Sequence, residues 1–592
     1  MRHFFMFVPL AITIRIPVFY MMGLYSGMWR YTSLEDLQNI IKAVFFSSLI
    51  IVSILFIGNR FTGFSRAIMV VDTVLTFLFI SGLRVFIRWY LNDGLKRFAL
   101  AAGDKKNLLI IGAGSSGEKI VREIEKNQQL AYNVVGFLDD NPQKKGLRIH
   151  NVPVWGGIDT IQECVEHTSA DEILIALAAA TAEQMQRIVK WCRSTDIPYK
   201  IIPSYGEIIG GKGSLRAIRD ISYKDLLGRE EIKLESNLID QCIYGKTVLI
   251  TGAGGSVGSE LARQVLKFGP GKIVLLDSSE ENLYKIQMEL RHDYNIDEVS
   301  VVLGKVQDVP LLKKIFEKYK PTILFHAAAY KHVPLMEQNP WQAVHNNIFA
   351  SQVIIEASII HGVERFVLVS TDKAVRPTNV MGASKRMTEL LMLAYASEDW
   401  DGKFSSAWRA LVRDKDIEHR TIFMAVRFGN VLGSSGSVVP LFKKQIENGG
   451  PVTVTDSKVT RYFMSIEEAA QLILQVASMG TGGEIFILKM GKAVLIHQLA
   501  KDLIKLAGKR PDRDIQIVFT GLREGEKLYE ELITQGEGVV ETGHEKIMVL
   551  RGENILNNRS CEVVEELRAK ARVFDIAGIK NTLHRILPEY QM

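Results

Sequence analysis

The stretch Thr251-Gly-Ala-Gly-Gly-Ser-Val-Gly-Ser-Glu260 follows a strand-like segment, Lys246–Ile250, and opens a helical pattern that runs to Lys267. Its TGxxGxxG spacing is typical of a tight turn between a buried strand and a helix N-terminus. Glycines let the backbone approach a pyrophosphate, and the first helical turn offers N–H groups that no helix carbonyl accepts. The stretch therefore predicts a Rossmann-like dinucleotide site.

The segments after this turn supply the other parts of the site. The strand Lys272–Leu276 ends in Asp277, 25 residues after Gly252, where an acid binds both ribose hydroxyls and repels a 2′-phosphate. NAD is therefore favoured over NADP. Asp308 follows the third strand, where an acid caps the adenine amino group. The residues that the pattern assigns to the cofactor are Thr251, Gly252, Gly255, Ser256, Val257, Gly258, Asp277, Asp308, Ala327 and Ala328.

A weaker copy of the arrangement lies at about 107–230. Gly112-Ala-Gly114-Ser-Ser-Gly117 follows the strand Asn107–Ile111, and the next strand ends in Asp139-Asp140, about 25 residues after the first glycine. This spacing fits a ribose-binding acid. Two interpretations stay open: a bound nucleotide or sugar nucleotide, or a turn kept only for packing. This part of the sequence contains no acid/base pair or nucleophile constellation.

Three apolar stretches occupy the N-terminus, at Phe4–Trp29, Ala43–Asn59 and Ala67–Tyr90. A membrane span needs about 20 mostly apolar residues. A signal peptide fits poorly, because no small-residue cleavage site follows and the apolar pattern continues for three segments. We expect a transmembrane helical anchor; a buried helical bundle in a soluble protein is the alternative.

The charge is distributed unevenly along the chain. Residues 1–106 contain twelve Lys/Arg and five Asp/Glu, a net charge of +7, whereas the other 486 residues contain 60 and 61, a net charge of −1. The larger part thus has no basic surplus for nucleic acid. The basic cluster after the third stretch predicts that everything beyond it is cytoplasmic. Its members are Arg84, Arg88, Lys96, Arg97, Lys105 and Lys106. The four widely separated cysteines indicate neither a disulfide framework nor a metal site.

Further motifs follow the glycine turn in order. They are His326-Ala-Ala-Ala-Tyr-Lys-His-Val-Pro334, Ser370-Thr-Asp-Lys373, Met381-x-x-x-Lys385, Arg427-Phe-Gly-Asn430 and Arg523-x-Gly-Glu526. As a set they resemble the CapD-like polysaccharide biosynthesis family, membrane-anchored nucleoside-diphosphate-sugar 4,6-dehydratases. The resemblance runs from about residue 20 to the C-terminus and implies UDP-N-acetylglucosamine as the substrate.

The resemblance also implies the architecture, which is an α/β fold. N-terminal transmembrane helices (1–100) would precede a Rossmann-like, CoA-binding-like domain (101–235) and a catalytic extended short-chain dehydrogenase/reductase domain (236–592). It implies a homo-oligomer, a dimer or larger, spanning the bacterial inner membrane several times with its catalytic domains in the cytoplasm. One departure is that the family has four N-terminal membrane helices and this sequence offers three.

The implied reaction oxidises the sugar at C4, which acidifies the C5 proton; loss of the C6 hydroxyl follows, and hydride returns to C6. By resemblance Thr371 binds the C4 oxygen, Asp372 is the acid for water loss and Lys373 is the base at C5. Lys385 would bind the cofactor ribose. Met381 occupies the usual tyrosine position and carries no exchangeable proton, so Asp372 is the first candidate to take the C4 proton.

Two questions about these catalytic residues stay open. Lys373 needs a lowered pKa to act as a base, which burial beside a cation would provide. The alternative for Thr371-Asp-Lys373 is a simple helix cap, since Thr and Asp are good caps.

The expected substrate ligands are mostly basic or amide side chains, and arginine forks suit a diphosphate. They are Lys331, His332, Asn347, Arg427, Asn430, Arg461, Arg523 and Glu526. The alternative role for Asn347 is to hold the backbone geometry near the active site. For each arginine, the alternative is a surface salt bridge. Two rival functions are a UDP-sugar C4 epimerase, which needs no Asp-Lys pair, and a non-catalytic nucleotide-sugar-binding membrane protein. The charged stretch Ser397–His419, with Trp400 and Trp408, is interpreted as either a surface insertion or a partner site.

Overall fold

The structure is a computed structural model, and the residues it describes fall into ranges. These are 2–22, 24–25, 34–59, 66–89, 105–126, 131–177, 180, 182–195, 197–201, 234–293, 299–412, 417, 419–533, 538–551, 556 and 559–591. The chain divides into two compact units, Met1–Lys105 and Lys106–Met592.

The described residues of the first unit form three helices: α1 (Arg2–Met21), α2 (Leu34–Asn59) and α3 (Arg66–Trp89). Among the described residues, two segments are long and apolar enough to cross a membrane: Gln38–Ile57, with a mean hydropathy of 2.6, and Ala67–Arg84, with 1.8. Many of their large apolar side chains face outward, as in a helix surface suited to lipid.

Three charged side chains inside these apolar helices have partners. Arg15 of α1 forms a two-pronged ion pair with Asp72 of α3, and its Nη1 lies 3.2 Å from Asp72 Oδ1. Arg84 donates from Nη2 to the Leu24 carbonyl at 2.5 Å. Pairing of this kind makes a charge tolerable in an apolar surrounding. Of the basic cluster, Lys96 and Arg97 lie outside the described residues.

The described residues of the second unit form two large β-sheets and three short strand pairs. Their strands are β1 (Lys106–Ile111), β2 (Tyr132–Leu138), β3 (Arg148–Ile149), β4 (Val152–Gly156), β5 (Glu172–Ile175), β6 (Tyr199–Ile201), β7 (Thr247–Thr251), β8 (Lys272–Asp277), β9 (Val299–Leu303), β10 (Ile323–His326), β11 (Arg365–Val369), β12 (Ile422–Arg427), β17 (Glu484–Leu488), β20 (Val540–Glu541) and β21 (Ile547–Arg551). Short pairs outside them are β13 (Asn430–Val431) with β16 (Phe463–Met464), β14 (Val452–Val454) with β19 (Ile517–Phe519), and β15 (Thr460–Arg461) with β18 (Val494–Leu495).

Helices connect and cover these strands. They are α4 (Ser115–Lys126), α5 (Ile161–Thr168), α6 (Ala182–Ser194), α7 (Ser236–Ile243), α8 (Ser256–Leu266), α9 (Glu280–Asp293), α10 (Val309–Tyr319), α11 (Val333–Gln338), α12 (Pro340–Gln342), α13 (Ala350–Ile360), α14 (Val380–Ala396), α15 (Ser406–Arg409), α16 (Val438–Glu447), α17 (Ile466–Met479), α18 (Ile496–Leu506), α19 (Ser560–Arg572) and α20 (Ile576–Ile586). A π-helical segment, Ala343–Phe349, leads into α13.

Strand order explains where a ligand would bind. The first sheet has the order β3-β4-β2-β1-β5-β6, and the second has β20-β21-β17-β12-β11-β10-β7-β8-β9. The second sheet is parallel from β9 to β17, with β21 and β20 added antiparallel. The order reverses between β7 and β10, and open α/β sheets bind ligands at such a point, beyond the carboxyl ends of the strands. The expected α/β Rossmann-like architecture is confirmed, and most predicted strands begin and end within two residues of the observed ones.

The first sheet packs against α18, which belongs to the segment that follows the second glycine turn. Cys192 and Tyr199 share one apolar core with Leu499 and other residues of that helix. Polar contacts reinforce it: Arg193 Nη2 lies 2.6 Å from Asp502 Oδ2, and Lys505 Nζ donates to the Thr195 carbonyl at 2.8 Å. Within Lys106–Met592 the two sheets are therefore joined by side chains as well as by the chain.

The stretch Ser397–His419 is anchored to the core through its tryptophans. Trp408 is buried and donates from Nε1 to the Val353 carbonyl at 3.0 Å, and Trp400 stacks at an angle on Tyr395. These aromatic side chains are thus occupied within the chain, which favours a packed insertion over a partner site. Residues 413–416 and 418 lie outside the described part.

Candidate active site

A cavity of about 630 Å³ lies beyond the carboxyl ends of β7, β10, β11 and β12. Most predicted site residues line this cavity, and they include both predicted cofactor ligands and predicted catalytic or substrate-binding residues. They are Gly252, Gly255, Ser256, Val257, Gly258, Ala327, Lys331, His332, Thr371, Lys373, Met381, Lys385, Asn430, Arg461, Arg523 and Glu526. Thr251, Asp277, Asp308, Ala328, Asn347, Asp372 and Arg427 are not among the lining residues.

The glycine turn needs its glycines for two different reasons. Gly252 has φ +68°, and a Cβ there would lie 2.7 Å from the backbone of Ala327 and Ala328. A Cβ on Gly258 would lie 2.1 Å from the Gly252 carbonyl, so the helix packs tightly on the turn. Gly255 precedes α8 and faces the cavity. The turn thus presents bare backbone and a helix N-terminus, which suits a pyrophosphate.

The predicted acids for the cofactor have backbone partners. Asp277 Oδ2 accepts from the Gly254 N–H and Oδ1 from the Ser279 N–H, both at 2.8 Å, so its carboxylate lies beside the turn as a ribose ligand must. Asp308 caps α10 by accepting from the Leu311 N–H at 3.1 Å. This capping role accounts for an acidic side chain at position 308 without any contact to a cofactor.

Thr251 ties two strands together inside the sheet. Its side chain is fully buried, and Oγ1 lies 2.7 Å from His326 Nδ1. Burial lowers the pKa of His326 to about 3, and the Lys385 charge acts in the same direction. The ring is therefore neutral, and the predicted cofactor contact of the Thr251 side chain is corrected to a structural one.

Thr371, Asp372 and Lys373 form one cluster at the end of β11. The Thr371 hydroxyl donates to Asp372 Oδ1 at 2.8 Å, and Lys373 Nζ lies 3.0 Å from the same oxygen. Thr371 also caps the short 3₁₀ helix Asp372–Ala374, accepting from the Lys373 N–H at 3.4 Å. Thr371 therefore caps the short helix and contacts Asp372 at the same time. The helix-cap interpretation is thus compatible with a catalytic role for these residues.

Sequence reasoning missed Glu530, which completes the cluster. Glu530 Oε1 lies 3.6 Å from Lys373 Nζ, and its side chain is buried at the cavity wall. Burial lowers the pKa of Lys373, but Asp372 and Glu530 outweigh this and raise it above its ordinary value. In the free protein the pKa of Lys373 is thus shifted away from the lower value that a base at C5 needs. A usable signal was the position of Glu530 four residues after Glu526, in a segment already assigned to the substrate.

Met381 and Lys385 lie one turn apart on α14, and both line the cavity. Burial lowers the pKa of Lys385 to about 8, although the Glu389 carboxylate opposes the shift. Lys385 is thus the cation next to the cofactor turn. Met381 offers only a thioether there, which carries no exchangeable proton.

Arg427 and Asn347 require correction as substrate ligands. Arg427 is fully buried, and its Nε and Nη2 donate to the two oxygens of Glu389 at 2.8 and 2.7 Å. Asn347 is also buried: its Oδ1 accepts from the Tyr330 N–H at 2.8 Å, and its Nδ2 donates to Ser384 at 2.9 Å. Both side chains hold the scaffold behind the cavity wall.

The other predicted ligands line the far half of the cavity. Arg461 Nη2 lies 3.1 Å from Glu526 Oε1, which fixes the guanidinium. Asn430 Oδ1 is buried without a hydrogen-bond partner in the described part of the chain, so it is left for a ligand donor. Burial lowers the pKa of Lys331. His332 lies against Gly436, where a Cβ would be 2.6 Å from the ring.

The glycine turn of the first sheet repeats the geometry of the second. Asp139 Oδ2 accepts from the Ala113 N–H at 2.9 Å, as Asp277 does from Gly254, and a Cβ on Gly117 would lie 2.2 Å from the Gly112 carbonyl. In addition, Asp139 pairs with Lys144 Nζ at 2.7 Å. Among these contacts, the ion pair is the one that favours a turn retained for packing over a bound nucleotide.

Known proteins resemble this chain over nearly its whole length. Residues 248–552 match the polysaccharide biosynthesis protein family, and residues 21–203 match a CoA-binding domain. The chain is 39% identical to the capsular polysaccharide biosynthesis protein CapD of Staphylococcus aureus over 93% of this chain and 88% of that protein. It is 34% identical to the UDP-glucose 4-epimerase of Rickettsia bellii over 49% of this chain and 79% of that protein.

Among solved structures, the dTDP-glucose 4,6-dehydratase DesIV from Streptomyces venezuelae, with NAD and TYD bound, matches with a TM-score of 0.40. The two are 22% identical, over 48% of this chain and 88% of that one. The family match covers more than half of the chain, and CapD is matched nearly end to end. The chain therefore belongs to the CapD-like family of polysaccharide biosynthesis proteins, enzymes of the sugar-nucleotide dehydratase and epimerase type.

Proposed function

We propose that the chain is a UDP-N-acetylglucosamine 4,6-dehydratase that uses NAD. The observation that carries the proposal is the cluster of Thr371, Asp372 and Lys373. This cluster lies at the same cavity that the glycine turn lines. An epimerase acting at C4 alone needs no acid/base pair for C5 and C6. A charged pair held at the cavity therefore favours dehydration.

The residues present fit a dinucleotide. The bare backbone at Gly252–Gly258 and the N-terminus of α8 would hold the pyrophosphate, Asp277 the ribose, and Lys385 the ribose nearer the sugar. NAD fits better than NADP, because Asp277 would repel a 2′-phosphate. The bound cofactor supplies hydride acceptance from C4 and hydride return to C6.

The protons are handled by the cluster. Asp372 takes the C4 hydroxyl proton, with Thr371 binding that oxygen, and later gives the proton to the departing C6 hydroxyl. Lys373 takes the C5 proton once the C4 ketone has acidified it, and returns it to C5 after hydride has reached C6. The net change is loss of one water molecule. Asp372 Oδ2, buried and without a hydrogen-bond partner in the described chain, is the free oxygen for this exchange.

The far half of the cavity would take the nucleotide diphosphate. Arg461 and Arg523 bring positive charge, and a guanidinium binds phosphate oxygens with two parallel hydrogen bonds. Asn430, Lys331 and His332 would complete the sugar side. Arg461 is held in place by Glu526, so its fork is oriented before the ligand arrives.

The first unit would place this enzyme at the bacterial inner membrane. Two apolar segments of spanning length and the paired charges Arg15 and Asp72 support an anchor of several helices. The basic residues after the third helix would place the catalytic domains on the cytoplasmic side of the membrane. Homo-oligomerisation is part of the proposal. Protease accessibility in right-side-out vesicles tests the topology, and light scattering in detergent tests the assembly.

One incubation separates the candidate reactions. The purified full chain in detergent, with NAD and UDP-N-acetylglucosamine in D₂O, should give a new C6 methyl signal and a C4 ketone or its hydrate by NMR. A C4-epimerised sugar with its C6 hydroxymethyl intact would instead identify an epimerase. Binding of the nucleotide sugar without any new signal would identify a non-catalytic protein. A parallel incubation with dTDP-glucose tests the assignment of the nucleotide and the sugar.

A further inference from the structure

Lys373 is held between two carboxylates, only one of which belongs to its own motif. Its Nζ lies 3.0 Å from Asp372 Oδ1 and 3.6 Å from Glu530 Oε1. Glu530 Oε1 also lies 3.9 Å from Arg461 Nε. These contacts stabilise the ammonium form of Lys373 in the free protein.

Each of these two carboxylates has one oxygen that makes no hydrogen bond within the described part of the chain. Asp372 Oδ2 and Glu530 Oε2 are buried, and neither has a hydrogen-bond partner among the residues that the structure describes. A buried oxygen without a donor is costly, so it is a place where a proton or a ligand donor gains binding free energy. The two oxygens belong to different segments, and Glu530 lines the cavity itself.

The charges around Glu530 permit an internal proton transfer. The carboxylates of Asp372, Glu530 and Glu526 face the cations of Lys373 and Arg461. Lys527 adds a third cation, whose Nζ donates to the Val375 carbonyl at 2.9 Å. Moving a proton from Lys373 to Glu530 leaves the net charge of the group unchanged. Release of the proton to solvent would instead leave one uncompensated negative charge in a low-dielectric site.

We infer that Glu530 is a positioning residue for the C5 step: it accepts the Lys373 ammonium proton before the amine acts as base and gives it back at the end. The inference rests on the proposed function. An N–H bond breaks at Lys373 and an O–H bond forms at Glu530, and the free amine then takes the C5 proton. After that proton returns to C5, Glu530 reprotonates Lys373, so both side chains end as they began.

The test uses the purified full chain with NAD and UDP-N-acetylglucosamine, comparing Glu530→Gln, Glu530→Asp and the control Glu531→Gln. Glu531 is the neighbouring carboxylate, partly exposed and paired with Arg376, away from the cavity. We expect Glu530→Gln to lower kcat about 100-fold at neutral pH, as loss of a proton-transfer partner does. KM and NAD content should stay near wild type, and Glu531→Gln should behave as wild type.

The pH profile separates proton exchange from mere packing. In wild type kcat should be flat near neutral pH, because Lys373 unloads its proton internally. In Glu530→Gln it should rise nearly tenfold per pH unit, because the proton must leave to solvent, and Glu530→Asp should restore the flat profile at reduced kcat. A flat profile in Glu530→Gln, or a loss confined to KM, would overturn the inference. A wild type that releases no 4-keto-6-deoxy product would overturn the proposed function instead.

Discussion

Replacing Arg427 with methionine distinguishes a structural arginine from a substrate-binding one. The guanidinium is fully buried and paired through two hydrogen bonds with Glu389, which also accepts from Ser370 at 2.6 Å and pairs with Arg386 at 3.0 Å. Burial raises the pKa of Glu389, but Arg427 and its other partners lower it to about 2. Methionine keeps the volume and leaves this carboxylate poorly compensated.

The size of the effect follows from the pKa of Glu389. A fall from 4.5 to about 2 corresponds to about 3 kcal/mol of native-state stabilisation, and removing one partner of a buried pair costs about 3–5 kcal/mol. The unit that contains Arg427 is Lys106–Met592. With an unfolding entropy of about 2 cal/mol/K per residue, a loss of about 3 kcal/mol should lower the melting temperature of this unit by about 3 °C. Because the pKa is lowered in the native state, this stabilisation is complete above about pH 4.5 and is lost as pH falls toward 2.

The assay is thermal unfolding of the full chain in detergent, followed by tryptophan fluorescence, beside KM for the nucleotide sugar. Arg427→Met should lower the melting temperature at pH 7.5 while the folded fraction keeps its KM, and the gap to wild type should narrow below pH 4.5. Arg523→Met is the matched control, because that arginine lines the cavity with an exposed side chain. It should raise KM and leave melting unchanged. A raised KM with unchanged melting in Arg427→Met would refute the structural assignment.

Three further predictions concern other parts of the chain. Burial raises the pKa of Glu356 to about 7 despite hydrogen bonds from Ser405 and Tyr395; stability should therefore fall as pH rises from about 4.5 to 7, and melting of Glu356→Gln should lose that slope. Gly252→Ala should lose bound NAD, measured by chromatography after denaturation, because its Cβ has no space; full NAD content would contradict this. Asp72→Ala should lower the yield of folded membrane-bound chain, and restoring charge balance with Arg15→Leu should recover it; an unaffected single variant would deny the ion pair its role.

Local pattern was sufficient for the sheet and the cofactor turn. Each strand is a short apolar run, and glycines at fixed offsets define the turn, so Gly252, Gly258 and Asp277 lie where the spacing predicts. The motif cluster at 371–373 also follows from the sequence, since it directly succeeds a strand at the ligand-binding edge. These features depend on neighbours within a few residues along the chain.

Side-chain direction at the strand ends was not predictable in the same way. Arg427 is the last residue of β12 and turns into the layer under α14 toward Glu389, whereas Asn430, three residues later, reaches the cavity. Asn347 lies on a π-helical segment, and its side chain accepts a hydrogen bond from the Tyr330 backbone. The partner in each case is more than fifteen residues away, so spacing within one motif does not reveal it.

Glu530 was missed for the same reason, and its position changes how Lys373 works. Spacing alone suggests that burial beside a cation frees the lysine as a base, but the nearest charges at 3.0 and 3.6 Å are carboxylates. Met381 cannot carry the C4 proton, so Asp372 is committed to that proton and cannot also unload Lys373. In the proposed mechanism a second carboxylate would take the Lys373 proton, and Glu530 is the other carboxylate within 4 Å of Lys373 Nζ among the described residues. The methionine at 381 and the glutamate at 530 are thus two parts of one arrangement.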